Sequence, residues 1–263
     1  MIYMSINFVT NYPVLFVSEL RALVIDDLHI GLEYDLYRSG VVIPSQVEKF
    51  TKILKKVIKM TKAKQLIILG DIKYKVPGST IREDILIPKF LSELQKHVKI
   101  IIAQGNHDDQ IEGILPEDVK LYSSRGFKIG KYGFFHGHAW PSKKLMECDY
   151  LFMGHIQPAV EFIDKFRHRA VQLVWLKGKV SPVAVKVKYK IKKTGQLNII
   201  IFPTFNPLSG SLKVNAPADW ASPLLTKEMS DIKKFKAYLL DGTYLGQIEN
   251  LKRYASGRAQ SFI

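Results

Sequence analysis

The sequence has one cysteine, and its apolar runs are short. Cys148 has no partner for an intramolecular disulfide, which suits a reducing interior. No stretch approaches the roughly 18 continuous apolar residues of a membrane span. Residues 1–20 also lack the basic start and small-residue cleavage pattern of a signal peptide. We therefore expect a cytoplasmic protein with no membrane partner.

Acidic residues are scarce relative to basic ones. Lys and Arg number 39 against 24 Asp and Glu, which gives a formal net charge of +15. Such an excess favours polyanionic partners, of which nucleic acid is the first to consider. The alternative is a lysine-rich surface that serves solubility or growth at high temperature.

Five short apolar runs, each ending in polar residues, indicate buried strands. They are "ALVI" (22–25), "QLIIL" (65–69), "KIIIA" (99–103), "YGFF" (132–135) and "YLFM" (150–153). Residues 45–62 between the first two predict an amphipathic helix that starts at a capping box of Ser45 and Glu48. Residues 82–97 predict another, with its main segment starting at Pro88. This alternation is typical of an α/β fold.

The character of the sequence changes after residue 165. Residues 170–176, 181–193 and 196–202 predict strands separated by the turn-like "KGK" and "KTG", and residues 235–251 predict a hairpin turning at Asp241-Gly242. These strands are expected to complete a second sheet, so the fold becomes a two-sheet β-sandwich flanked by helices. We expect a single domain over 1–263, with a motif-bearing half at about 20–160 and second-sheet strands and the C-terminal hairpin at about 165–251.

The polar residues that end the five runs are expected to meet, because ligands bind at the carboxyl ends of strands in α/β sheets. Five of the seven histidines in the chain lie in these clusters. The converging side chains are Asp27, His29, Asp71, Asn106, His107, His136, His138 and His155. Carboxylate, imidazole and amide donors without thiolate suit Mn²⁺, Fe, Zn²⁺ or Mg²⁺. So many donors suit two ions about 3.5–4 Å apart, which activate water as a hydroxide nucleophile near neutral pH.

The same clusters resemble a known set of motifs. Asp27-x-His29, Gly70-Asp71, 105–108 "GNHD", 136–138 "HGH" and Gly154-His155 look like the five motifs of the calcineurin-like metallophosphoesterases, in order across about 22–158. A looser resemblance links residues 27–44, 154–160 and 202–215 to the archaeal SbcD-related phosphoesterases and the bacterial ligase-associated endonuclease PdeM.

The family resemblance implies a role for each position. Asp27 and His29 would hold a first metal, and Asp71 would bridge both metals. A second metal would be held by Asn106, His136 and His155. His107 would protonate the leaving oxygen or stabilise charge on phosphorus, and Asp108 would orient a neighbouring histidine. For His138, lining the pocket or contacting substrate is favoured over binding metal.

Two positions depart from the family pattern. The family pattern is Gly-Asp-x-x-Asp, and Tyr74 takes the place of its last aspartate after Gly70-Asp71. Lys73 and Lys75 on either side of Tyr74 are candidates for a phosphate contact. Gln157 stands where the final histidine would complete the first metal. Its amide oxygen is a neutral, weaker ligand that would favour Mn²⁺ or Mg²⁺. A weakened, exchangeable site and a site that has abandoned catalysis are the alternatives.

Three classes of function remain open at this point. The first is a Mn²⁺-dependent phosphodiesterase or nuclease on DNA, whose partner could be a DNA-repair protein. Strict alternation in residues 185–193 would place four lysines on one strand face along a phosphate backbone. They are Lys186, Lys188, Lys190 and Lys192. The same lysines could merely protect a sheet edge. The second class is a phosphatase or phosphodiesterase for a small phosphorylated metabolite or nucleotide, and the third is a non-catalytic scaffold.

Overall fold

The structure, a computed structural model, describes residues 6–253. The strands are β1 Ile6–Phe8, β2 Leu15–Val17, β3 Ala22–Ile25, β4 Gln65–Ile68, β5 Lys99–Ala103, β6 Lys120–Tyr122, β7 Phe127–Ile129, β8 Tyr132–Phe135, β9 Tyr150–Met153, β10 Pro158–Ile163, β11 Arg169–Lys179, β12 Asn198–Ile201, β13 Leu212–Lys213, β14 Lys236–Leu239 and β15 Tyr244–Gln247. The helices are α1 Leu32–Arg38, α2 Val47–Thr61, α3 Ile81–Gln95 and α4 Pro182–Tyr189.

The strands form two sheets, as predicted. The first has the order β1-β2-β3-β4-β5-β6, with β3 to β6 parallel. The second has the order β13-β10-β11-β12-β9-β8-β7, and the hairpin β14-β15 pairs with β11. All five predicted buried runs are strands, and the predicted C-terminal hairpin forms. The prediction of a two-sheet α/β sandwich is therefore confirmed.

Apolar side chains from both sheets fill the space between them. Leu15, Val24 and Ile67 of the first sheet meet Phe152 and Trp175 of the second in one buried cluster. The outer face of the first sheet packs against α2 and α3, and the outer face of the second carries α4. The core between the sheets and the helices on their outer faces hold the two sheets face to face. The carboxyl ends of strands from both sheets therefore lie along one edge of the sandwich, here called the rim.

Both predicted helices form, but neither begins as expected. In α2 the cap residue is Gln46, with no side-chain cap hydrogen bond, so the predicted Ser45–Glu48 capping box is wrong. A capping box does start α3, where Thr80 and Glu83 exchange hydrogen bonds. The helix then runs through Pro88, because buried apolar side chains on both sides of the proline anchor it to the sheet.

The prediction of a strand over 181–193 is wrong. Ser181 accepts a hydrogen bond from the Ala184 amide, Pro182 follows at the first helical position, and α4 forms. This start signal outweighs the strict alternation of the sequence, since Val185 can still be buried from a helix. The predicted break "KGK" is also wrong, because residues 177–179 lie inside β11.

None of the helices within residues 6–253 is long and apolar enough to span a membrane.

Candidate metal centre

The carboxyl ends of five strands bring the predicted polar side chains to one rim. The ends of β3, β4 and β5 supply one half from the first sheet, and the ends of β8 and β9 supply the other from the second. Three groups of side chains there have ligand atoms within 4.8 Å of one another. They are His29–Asp71–His107, Asp71–His136–His155 and Asp26–Asp27–His136.

Asp71 lies between two histidines from different sheets. Its Oδ2 is 3.3 Å from His136 Nε2 and 3.7 Å from His29 Nε2. Asn106 Oδ1 is 3.1 Å from the same His136 nitrogen. Burial alone would raise the pKa of Asp71, but the charge of His136 outweighs it and holds that pKa well below its usual range. The carboxylate is therefore ionised and faces both sides of the centre.

On the other side of Asp71, His29 Nε2 has three possible neighbours. Asp27 Oδ1 and Asp71 Oδ2 are each 3.7 Å away, and the Gln157 amide donates to this nitrogen at 3.0 Å. Burial lowers the pKa of His29 to about 4, so its ring is neutral and Nε2 offers a lone pair. The structure thus brings Gln157 to the position where the sequence predicts the last ligand.

Hydrogen bonds to backbone carbonyls fix which nitrogen of three histidines is free. His136 Nδ1 donates to Leu69 O at 3.0 Å, and His107 Nδ1 donates to Tyr74 O at 2.6 Å. His155 is held the other way round, since its Nε2 donates to Ala221 O at 3.0 Å. The nitrogens left for the centre are Nε2 of His136 and His107 and Nδ1 of His155.

The donor set fits a cationic group. Both carboxylate oxygens of Asp27 are buried and have no hydrogen-bond partner within residues 6–253. Burial, with Asp26 beside it, raises the pKa of Asp27 well above its usual range. No lysine or arginine of the described part forms an ion pair with Asp26, Asp27, Asp71 or Asp108. A buried carboxylate cluster of this kind requires a cation or protons to be stable, and its oxygen and imidazole donors suit a divalent ion.

The backbone at the centre is left-handed at five residues that are not glycine. They are Asp27, His29, Asp71, His155 and Gln157, with φ between 42° and 70°. Such conformations are costly and cluster at functional sites. Two glycines allow the loops to approach this closely, because a Cβ at Gly105 would overlap Asp71 and a Cβ at Gly154 would overlap Asp26.

Asp26 is a functional candidate that the sequence reasoning missed. Its Oδ2 accepts from the His155 amide at 3.0 Å, and its Oδ1 is 3.5 Å from His136 Nδ1. The side chain is fully buried. It therefore joins the end of β3 to the loop after β9, one sheet to the other. The only sequence signal was its place beside Asp27, directly after the buried strand β3.

Asp108 acts on backbone rather than on a histidine. Its carboxylate accepts from the amides of Ile72 at 2.8 Å and Gly105 at 2.8 Å, so it ties the loop after β4 to the loop after β5. The expectation that it orients a histidine directly is corrected accordingly. Burial raises its pKa to about 6.

Lys73 does not reach the centre, which corrects the prediction of a phosphate contact. Its side chain is fully buried, and Nζ donates to Lys75 O and Gly78 O at 2.6 Å each and to Asp109 Oδ1 at 2.5 Å. A buried ammonium with three hydrogen-bond acceptors is held in place as part of the loop. Lys73 is therefore a structural element of the loop after β4.

Tyr74 and His138 line the centre on opposite sides. The Tyr74 ring stacks beside His107 with centroids 5.9 Å apart and meets the edge of His29 at 6.0 Å. His138 lies 5.3 Å from His136 and 5.9 Å from His155, and burial lowers its pKa to about 4. Neither belongs to a group of converging ligand atoms.

The four predicted nucleic-acid lysines lie outside the centre. Lys186 and Lys188 are on α4, Lys190 caps its end and Lys192 follows. All four are exposed. They do not form a strand stripe, so the predicted spacing of charges along a strand is wrong.

Comparison with known proteins gives a family match over most of the chain. Residues 20–237 match the family model "Calcineurin-like phosphoesterase". No curated protein matches the chain. Among solved structures, the nuclease MPE of Pseudomonas putida is 17% identical, with a TM-score of 0.50 and 87% of each chain covered. Yfce, a phosphoesterase from E. coli, is 16% identical, with a TM-score of 0.40 over 86% of this chain and 97% of that one.

Proposed function

The chain belongs to the calcineurin-like phosphoesterases, and from this premise we propose that it is a dinuclear phosphodiesterase or nuclease acting on DNA. Hydrolysis of phosphoesters with divalent metal is the activity of the family. The number of metals, their identity and the DNA substrate are the parts that the proposal adds.

The observation that supports a site with two metal ions is the position of Asp71. Its carboxylate belongs to two of the three groups of converging ligand atoms, one with His29 and one with His136 and His155. A carboxylate shared by two ligand groups is the arrangement expected of a bridging residue in a two-metal site. The first metal would be held by Asp27, His29, Asp71 and Gln157. The second would be held by Asp71, Asn106, His136 and His155.

Divalent ions in these positions would lower the pKa of a coordinated water and neutralise charge on the phosphoryl group. His107 would act on the substrate directly. Its Nδ1 is occupied by Tyr74 O, so Nε2 is the atom that can deliver a proton to the leaving oxygen. The amide of His107 donates to Asp71 Oδ1 at 2.8 Å, which keeps the ring beside the bridging residue.

Gln157 would serve the first metal with its amide oxygen. The amide nitrogen now donates to His29 Nε2, the atom that would bind metal. Turning the amide by half a rotation exchanges nitrogen for oxygen without moving the rest of the side chain. The first metal would then have mostly oxygen ligands, which supports Mn²⁺ over Zn²⁺.

DNA as the substrate rests on charge. The net charge of +15 favours a polyanion over a small neutral or singly charged ester. The centre lies on an open rim, where Asn106 is exposed and His107 and His155 are half-buried. An open rim accommodates a long phosphodiester better than an enclosed pocket would.

The experiment is hydrolysis by metal-stripped protein with Mn²⁺, Mg²⁺ or Zn²⁺ restored. Bis(p-nitrophenyl) phosphate and a DNA oligonucleotide are the substrates. We expect turnover of both with Mn²⁺ and none with Asp71→Asn, which should also lose both metals by elemental analysis. Asp118→Asn is the matched control, because Asp118 is exposed and has the same left-handed backbone, with φ 66°.

Three results would count against the proposal. Full activity of Asp71→Asn would show that the reaction does not need a carboxylate shared by two metals. Turnover of the aryl diester without any cleavage of DNA would replace DNA with a small substrate. Inertness with every metal would leave the fold as a scaffold.

A further inference from the structure

Two loops that touch the site histidines each carry a partly exposed tryptophan. Trp140 follows His138 by two residues in the loop after β8, and Trp220 precedes Ala221, whose carbonyl accepts from His155. Ser222 Oγ donates to Gly137 O at 2.7 Å and joins the two loops. The third tryptophan of the chain, Trp175, is fully buried between the sheets. Large aromatic side chains are therefore present on the rim of the centre.

Trp140 connects this rim to α4. Lys188 Nζ lies 4.1 Å from the centre of the Trp140 ring. The Tyr189 ring meets Trp140 at 6.2 Å, and its hydroxyl donates to Pro141 O at 2.9 Å. These contacts anchor the end of α4 against the loop that leaves the metal centre, so the exposed lysines of α4 continue the rim.

The charge of this surface has one sign. Residues 138–144 and 186–193 contain seven lysines and no acid. Lys186, Lys188, Lys190 and Lys192 are exposed, and none forms an ion pair with another residue in the described part of the chain. Unpaired lysines beside aromatic side chains are the combination that proteins use to bind single-stranded nucleic acid, since every base has a face to stack and every linkage carries a charge.

We propose that residues 138–144 and 186–193, here called the α4 rim, bind single-stranded nucleic acid and lead it into the metal centre. Trp140 would stack on a base. Lys188, whose ammonium group lies over the Trp140 ring, would move off that ring to contact a phosphate. Lysines of α4 would follow the backbone beyond it. The inference rests on the proposed function, because only a nucleic-acid substrate uses this surface.

The test separates binding from cleavage. Binding of a labelled single-stranded oligonucleotide of about 12 nucleotides, within the usual range of site sizes, is measured in EDTA over a range of salt. A duplex of the same length is run in parallel. Cleavage of the oligonucleotide and of bis(p-nitrophenyl) phosphate is measured with Mn²⁺. The variants are Trp140→Ala and a quadruple Lys→Gln change at 186, 188, 190 and 192.

The matched control is a quadruple Lys→Gln change at Lys49, Lys52, Lys56 and Lys59. These exposed lysines lie on α2, which covers the outer face of the first sheet rather than the second, and the change removes the same charge. Non-specific attraction would fall equally in both quadruple variants. A binding track on the α4 rim would fall in one only.

We expect Trp140→Ala to weaken single-strand binding by roughly 5- to 150-fold, the range for removal of one stacked base. The α4 quadruple variant should make the salt dependence shallower by about 0.7 for each phosphate that its lysines no longer neutralise. In both variants the ratio of oligonucleotide to aryl-diester kcat/KM should fall. The α2 control should match wild type.

Equal binding by the α4 and α2 quadruple variants would contradict binding of nucleic acid by the α4 rim and would leave the proposed function intact. Tighter binding of duplex, weakened equally in the variants, would overturn the single-strand preference. Tight, α4-dependent binding without cleavage by any metal would support the rim and contradict the proposed function instead.

Discussion

The two sheets contribute unlike halves to the metal centre. The first sheet supplies every carboxylate, in Asp26, Asp27 and Asp71, and holds its loops together through backbone hydrogen bonds such as His29 N to Asp71 O at 2.9 Å. The second sheet supplies no carboxylate, only the imidazoles of His136 and His155 and the amide of Gln157. In the proposed two-metal centre, the first half would therefore provide negative charge and the bridge between the metals, and the second half would provide the ligands that complete each coordination sphere.

Breaking one half at a time should give the largest effects. Asp27→Asn should remove the first metal and keep the second, and His155→Ala should do the reverse. Each variant should lose activity by at least about 10³-fold, since each ion contributes several kcal/mol of charge stabilisation. Elemental analysis of dialysed protein should give close to one equivalent for each variant. Loss of both metals from either variant would show that the halves do not act separately.

His107→Ala should reduce turnover without reducing the binding of either metal ion. The expected loss is about 10²- to 10⁴-fold, the usual contribution of a positioned proton donor, while two equivalents of metal remain. His97→Ala is the control, because His97 is exposed at the end of α3 and lies in none of the converging ligand groups. Metal loss in His107→Ala comparable with that in Asp27→Asn would contradict the separation of roles.

Gln157→His should have the smallest effect on turnover of the variants considered. It should instead change the metal preference of the first site. An imidazole would make the second sheet's contribution stronger and less oxygen-rich, so Zn²⁺ should bind the first site about tenfold more tightly relative to Mn²⁺. Competition titration of the two ions measures this ratio. An unchanged preference would mean that residue 157 does not ligate metal.

Local patterns were good predictors wherever one element decided the outcome. The five apolar runs became strands, and the apolar face of α2 packs as its periodicity predicted, with Phe50, Leu54 and Val57 buried. Patterns failed where two local signals competed. In residues 181–193 alternation favoured a strand, whereas Ser181 and Pro182 favoured the start of a helix, and the helix formed. The lysines consequently lie beside Trp140 instead of along a strand.

Partners far away in the sequence were out of reach of any local pattern. The carbonyl of Ala221 lies 66 residues from His155, and Asp26 Oδ2 accepts from an amide 129 residues away. The hydrogen bonds of the buried Lys73 ammonium likewise depend on how the loop after β4 folds back on Asp109. Such contacts depend on which loops meet, and that is a property of the packed sheets.

The sequence by itself determined which strands end in candidate ligands and of what kind, because strand periodicity and the common carboxyl edge of a sheet follow from backbone geometry alone. Tertiary structure decided which nitrogen of each histidine faces the centre, where Gln157 lies and which surface the α4 lysines share. These follow from packing one sheet on the other, since only that packing brings a carbonyl, a carboxylate or a tryptophan to a residue from another part of the chain.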